Sequence, residues 1–245
     1  MNKMVNASRE RLVLYDTIIL LSMTAVVITT VVLSTSSPTE TNYGGKFDQS
    51  IFVLGISAGF ILEMFIPFII ERIFKIRIST SISLIFIIHC FGGTFLGNVA
   101  NAYHDIPYFD NIMHFLVGVN FCMVGYALMQ LCFGDQGVDN HPLIIALVSV
   151  CIGVACGTIW EVYEFMGDVL ADLNMQGYML KTGEYLTGQA ALMDTMMDTL
   201  FNIAGAVAFA IPLCLSIKLG KPWHHYCCII KLNLSQNHVY KEISL

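Results

Sequence analysis

Leu143 to Phe165 reads as an apolar helix-length run that turns acidic at its end: Trp160-Glu161-Val162-Tyr163-Glu164-Phe165-Met166-Gly167-Asp168. About 20 apolar residues suffice for a helix to cross the hydrocarbon core of a bilayer. Carboxylates at the edge of that layer are expensive to place there. On a helix Glu161, Glu164 and Asp168 share one face, at i, i+3 and i+7. A second stretch repeats the theme. In Asp194-Thr195-Met196-Met197-Asp198-Thr199-Leu200-Phe201-Asn202, the residues Asp194, Asp198 and Asn202 align at i, i+4 and i+8. Several acids on single helix faces point to a site that holds a cation.

The rest of the chain has the composition this reading needs. Of 245 residues, 56% are hydrophobic and only 12% are charged, against about 25% charged in soluble domains. A soluble protein this apolar could not cover its surface, so the chain is an integral membrane protein. The net charge of −6 matters less than where the charges lie. Basic patches interleaved with aromatics are absent, which argues against nucleic acid as a partner. Cys90, Cys122, Cys132, Cys151, Cys156 and Cys214 sit inside apolar runs and read as small hydrophobes, not disulfide partners. The tail cluster His224-His225-Tyr226-Cys227-Cys228 has soft-metal ligands, but its spacing matches no zinc pattern.

The expected fold is all-α: a polytopic membrane helical bundle with six transmembrane helices, near residues 17–33, 51–70, 78–98, 112–133, 143–165 and 199–219. Continuous apolar runs favour helices over a barrel, whose strands would alternate with period two. The chain reads as a single integral membrane domain over 1–245, with 220–245 a short cytoplasmic tail. The first span follows Arg9 and Arg11 like a signal peptide. It is long for one, and no Ala-x-Ala site follows, so it reads as a retained anchor.

Orientation follows the basic residues. With the N-terminus inside, the cytoplasmic side receives Lys3, Arg9, Arg11, Arg72, Lys75, Arg77, Lys218, Lys221, Lys231 and Lys241, and the outer side only Lys46 and Lys181. Both termini are then cytoplasmic. The Asp110 end of the fourth span, the Glu161 end of the fifth and the Asp194 end of the sixth all face outward. The connection from about Gly167 to Met193, with its three glycines and apolar residues, reads as a folded loop or interfacial lid.

If those three ends converge, Asp110, His114, Glu161, Glu164, Asp168, Asp194, Asp198 and Asn202 share one pocket. So many like charges need protons or a bound metal to compensate them. Glu161, Glu164, Asp168, Asp194, Asp198 and Asn202 are the candidate metal ligands. Oxygen donors with one imidazole suit Mg²⁺, Mn²⁺, Ca²⁺ or Zn²⁺. His114 and Asp110, one helical turn apart, are the candidate acid/base pair, with Asp110 orienting the ring. Structural alternatives stand beside each of these. Asp110 or Asp194 could be an N-cap, Glu161 or Asp168 a solvated end residue, and His114 a satisfied core histidine. Capping does not account for Glu161 with Glu164, or Asp198 with Asn202, inside apolar helices. Deeper in the membrane, Glu63 and His89 could pair as a structural contact or form a proton path. Gly55-x3-Gly59 and Gly153-x3-Gly157 read as close-packing faces. The Asp-x3-Asp spacing is shared with metal-dependent prenyl and phosphatidyl transferases, but no Asp-Gly-x2-Ala-Arg accompanies it.

Three ordered motifs carry a family resemblance: Asp110-x3-His114-Phe115-x2-Gly118, Glu161-x2-Glu164-x3-Asp168, and Asp194-x3-Asp198-x3-Asn202-x2-Gly205-Ala206. Over about Phe109 to Ala210 the chain resembles the YjdF-like bacterial inner-membrane family. It is similar in layout to VanZ-like membrane proteins, from which it departs at Glu164, where those usually have Gln, and in lacking the Arg that commonly follows. The resemblance implies a bacterial inner-membrane protein and supplies no reaction. The residues themselves suggest three functions. One is a metal-assisted enzyme acting on a membrane lipid or lipid-linked phosphate. The others are a cation- or proton-coupled transporter and a non-catalytic envelope-modifying module.

Overall fold

The computed structural model describes residues 2–35, 49–180, 182–220, 227 and 229–231. Lys46, Lys181 and most of the tail, including His224, His225 and Cys228, lie outside the described residues. Helices α1 (Asn2–Thr35), α2 (Gln49–Glu63), α3 (Ile66–Phe74), α4 (Thr80–Cys90), α5 (Ala102–Asp105), α6 (Phe109–Asn140), α7 (Pro142–Ala171) and α8 (Gln189–Lys218) dominate the structure. Two three-residue strands, β1 (Ile76–Ile78) and β2 (Ile229–Lys231), pair antiparallel. Among the described residues, five helical stretches are long and apolar enough to span a bilayer, and the bent pair α2–α3 makes a sixth. The chain is an all-α polytopic bundle.

The second expected span, 51–70, is not continuous. It breaks at Met64–Phe65 and bends by 41°. Pro67 explains where: it sits in the first turn of α3, where its missing N–H has no helical partner to lose. The third span also changes character, because α4 runs into a π-helical segment over Phe91–Gly97. A wider turn shifts the facing of every residue after it. The sixth helix begins ten residues before its expected start at 199, at Gln189.

Polar contacts gather one end of the molecule. Glu71 pairs with Arg11 of α1 and lies 3.8 Å from Arg77, and it accepts the Ile78 amide at 2.8 Å. β1 pairs Ile76 with Lys231 and Ile78 with Ile229. The start of α1, the α3–α4 turn and the residues after α8 therefore share one end. The count of basic residues requires the same grouping.

The site rests on the α6–α7–α8 bundle, which small residues hold tightly together. A Cβ on Gly205 would lie 1.9 Å from the Phe115 carbonyl oxygen, and one on Gly118 2.0 Å from the Asn202 carbonyl oxygen. Gly153 faces the Gly118 carbonyl oxygen and the Cys122 nitrogen, both 3.2 Å from a built Cβ, and Gly157 leaves room for the Asn202 amide. Lipid tails are as apolar as side chains, so close backbone packing of this kind drives helix association in membranes. Gly153-x3-Gly157 is such a face. Gly55-x3-Gly59 is not, because a Cβ on either would meet nothing within 4 Å.

Candidate metal centre

Asp110 enters the site from the first turn of α6, whose N-cap position is Tyr108 in a left-handed conformation. The N-cap position of α8 is Gly188, six residues before Asp194. Neither acid caps its helix, so capping does not explain them.

The imidazole of His114, 3% exposed, is the hub. Its Nε2 lies 3.5 Å from Asp110 Oδ1, 3.9 Å from Glu164 Oε1 and 4.0 Å from Asp198 Oδ2. Its Nδ1 lies 3.6 Å from Glu161 Oε1. Three helices thus bring acids to both ring nitrogens. Two neighbours that the sequence reading missed aim the carboxylates. The Asn111 amide donates to Asp198 Oδ1 at 3.1 Å, and the Trp160 indole N–H donates to Glu164 Oε1 at 2.8 Å. The spacing of Trp160 and Glu164, one helical turn apart, was the available signal.

After these contacts, both oxygens of Glu161, Glu164 Oε2 and Asp198 Oδ2 remain buried with no hydrogen-bond partner. Buried polar atoms are nearly always satisfied, so the cluster needs a cation or protons. The donor set fits a metal. Asp110, His114 and Asp198 form one group whose ligand atoms lie within 4.8 Å of one another, and His114, Glu161 and Glu164 form another. Bonds of about 2.0–2.2 Å in a tetrahedral site put neighbouring donors roughly 3.3–3.6 Å apart; Asp110 Oδ1, 3.5 Å from Nε2, is in that range, and Glu164 Oε1 and Asp198 Oδ2, at 3.9 and 4.0 Å, would close in by a few tenths of an ångström. The cluster could hold a metal ion.

The remaining expected site residues have other surroundings. Asp168 anchors the loop after α7: its two oxygens accept the amides of Met175 at 2.7 Å and Gln176 at 3.0 Å. Asp194 packs against Gly177, whose positive φ of 57° keeps its backbone close to the carboxylate. Asn202 is buried beneath the hub against Gly157, with its Nδ2 unpartnered. Neither Asp168, Asp194 nor Asn202 joins the two groups of close donors. Glu63 accepts a hydrogen bond from Thr94 Oγ1 at 2.7 Å, and no ion pair joins it to His89 among the described residues. The wider π turn carries Thr94 to Glu63.

The loop over the site is folded. Met179 and Tyr185 form a bridge, Tyr178 and Tyr185 stack at 6.0 Å, and Gln176 donates to Thr195 at 3.0 Å. Tyr108, Tyr163 and Tyr185 are exposed around this end, with Trp160 beside them, a girdle typical of a membrane–water boundary. Asp168→Ala removes two charge-assisted hydrogen bonds, together worth about 3 kcal/mol. Amide exchange across 173–186 should speed up by about a hundredfold, while the bundle stays protected. Unchanged exchange in that loop would show that Asp168 does not anchor it.

A family model for predicted membrane proteins, DUF2238, matches residues 16–218, and the chain belongs to that family. The match agrees with the YjdF-like resemblance. An uncharacterised protein of Thermotoga maritima is 28% identical over 152 residues, covering 62% of this chain and 71% of that protein. No solved structure matches.

Proposed function

We propose that the protein binds a divalent cation at the outer face of a bacterial inner membrane and uses it on the phosphate of a lipid or lipid-linked substrate. Asp110, His114 Nε2 and Asp198 are the core ligands, and Glu164 is a fourth donor. Glu161, on Nδ1, fixes the tautomer that leaves Nε2 free to coordinate, as outer carboxylates do for metal-bound histidines. The reading rests on one observation: Asp198 Oδ2 and Glu164 Oε2, buried beside a buried imidazole, lack hydrogen-bond partners. Four protein donors leave two positions for water or a substrate oxygen on an octahedral ion such as Mg²⁺ or Mn²⁺, and a tetrahedral ion would keep one only if Glu164 stays back from it. A divalent ion there would polarise a phosphate oxygen or acidify water. The outward placement rests on the distribution of Lys and Arg, and the headgroup depth on the aromatic girdle.

The test is phosphate release from polyprenyl diphosphate by the full chain in liposomes. Release should require added Mn²⁺, Mg²⁺ or Zn²⁺, stop with chelator, and fall at least ~100-fold in His114→Ala. No release from any phospholipid or polyprenyl phosphate, with metal bound, would overturn the enzymatic reading. One observation favours a second reading, cation- or proton-coupled transport: His89, whose Nδ1 is buried and unpartnered, lies within electrostatic range of His114. Ion uptake abolished by Glu63→Gln would establish it in place of the first.

A further inference from the structure

The hydroxyls of Thr17, Thr24, Thr30 and Thr158 each donate to the carbonyl four residues back, at 2.8–3.0 Å, which satisfies them within their own helix. Thr195 of α8 makes no such bond among the described residues. Its oxygen instead accepts from the side-chain amide of Gln176 at 3.0 Å, which leaves the hydroxyl proton to be aimed elsewhere. Thr195 and Gln176 both face the Glu161 carboxylate of α7. Neither closes a hydrogen bond to it, and both Glu161 oxygens stay buried and unpartnered. Glu161 Oε1 lies 3.6 Å from His114 Nδ1. A polar chain therefore runs from the loop after α7, through α8 and α7, to the imidazole on α6. The loop end of this chain is seated but lightly held. Residues 173–179 are half-buried. A Cβ on Gly167 would lie 2.8 Å from the Met175 sulfur, and one on Gly177 2.7 Å from Asp194 Oδ2. The other ties are the Met175 and Gln176 amides on Asp168. A loop held by a few polar contacts opens at lower cost than the bundle beneath it.

We propose that Gln176 and Thr195 are positioning residues that couple docking of this loop to metal ligation by His114. With the loop docked, Gln176 occupies the Thr195 oxygen, and the hydroxyl proton points to Glu161 and holds that carboxylate on Nδ1. With the loop lifted, the Thr195 hydroxyl turns back to the Ala191 carbonyl, as the other threonines do, and Glu161 loses its aim. The inference rests on the metal reading of the site. Coupling between two sites is reciprocal. Whatever the docked loop adds to metal affinity, bound metal adds to docking.

The experiment is amide hydrogen exchange across residues 173–180 of the full-length protein in nanodiscs, with chelator and with saturating Mn²⁺, alongside Mn²⁺ affinity by equilibrium dialysis. Coupling through one hydrogen bond is worth about fivefold. Mn²⁺ should slow exchange in the wild-type loop by about that factor. Thr195→Val, which keeps the shape and loses the hydroxyl, should abolish the response and bind Mn²⁺ about fivefold more weakly. Thr195→Ser should restore both. Gln176→Leu should match Thr195→Val, and the double variant should be no worse than either, because the two act in one chain. Mn²⁺-bound wild type whose loop exchanges at the chelator rate would overturn the coupling and leave the metal reading standing, even if no variant folds. So would Thr195→Val that binds Mn²⁺ as tightly as wild type. Wild type that binds no Mn²⁺ would overturn both.

Discussion

Gly205→Val should leave almost no folded protein in the membrane. The new side chain would begin 1.9 Å from the Phe115 carbonyl oxygen, and that atom belongs to a backbone that cannot rotate away. Helices α6 and α8 would have to part along the crossing that supports Asp110, His114 and Asp198. Overpacking costs about 1–3 kcal/mol where side chains can adjust, and a backbone clash lies at or above that range. Gly118→Val, 2.0 Å from the Asn202 carbonyl oxygen, should behave alike. Gly55→Ala is the control. Nothing lies within 4 Å of its new methyl group, and Ala is worth about 0.5–1 kcal/mol over Gly inside a helix. Yield of monodisperse protein and thermal midpoint read all three. Equal tolerance of Gly205→Val and Gly55→Ala would mean that the α6–α8 crossing is wrong.

Asp198→Asn should reverse the sign of its effect with metal. Asp198 Oδ2 is buried, unpartnered and 4.0 Å from His114 Nε2. Without a cation it adds repulsion to a crowd of acids, so the amide, which keeps the volume and removes the charge, should raise the thermal midpoint in chelator. With divalent metal the wild type gains stability as RT ln(1 + [L]/Kd), about 2.7 kcal/mol at a hundredfold excess over Kd. The variant, lacking a charged ligand, should gain almost none. Glu161→Gln keeps the ligands and replaces the charged partner of Nδ1 by a neutral amide, so its metal affinity should fall about 10–100-fold. A structural acid cluster would show no such crossing of curves. Scans with chelator and with Mn²⁺ or Zn²⁺ decide it.

Much of this site was legible in the sequence because helices impose their period on it. Run length marks the spans, and the i, i+3 and i+4 spacings put Glu161 with Glu164 and Asp110 with His114. Tertiary course was not legible. Asp168 continues the acidic face of α7, and only the path of the following loop turns it into an anchor for Met175 and Gln176. Asp194 and Asp198 looked like flanks of a span starting at 199, whereas α8 begins at Gln189 and carries Asp198 deep between its neighbours. No ion pair joins Glu63 to His89 among the described residues; Glu63 accepts instead from Thr94, inside the π-helical segment, where a wider turn shifts the facing of the residues from there onward. Gly55 and Gly59 have the same spacing as Gly153 and Gly157, and spacing alone does not say whether another helix is present.

The central claim is that the acids around His114 are there for a cation. The most direct measurement is elemental analysis of bound divalent metal in wild type and in a Glu164→Gln, Asp198→Asn double variant, both purified from metal-replete cells without chelator. Wild type should carry a single ion per chain, and a double variant that still folds close to none. Metal-free wild type, with a thermal midpoint unmoved by added divalent ions, would contradict it.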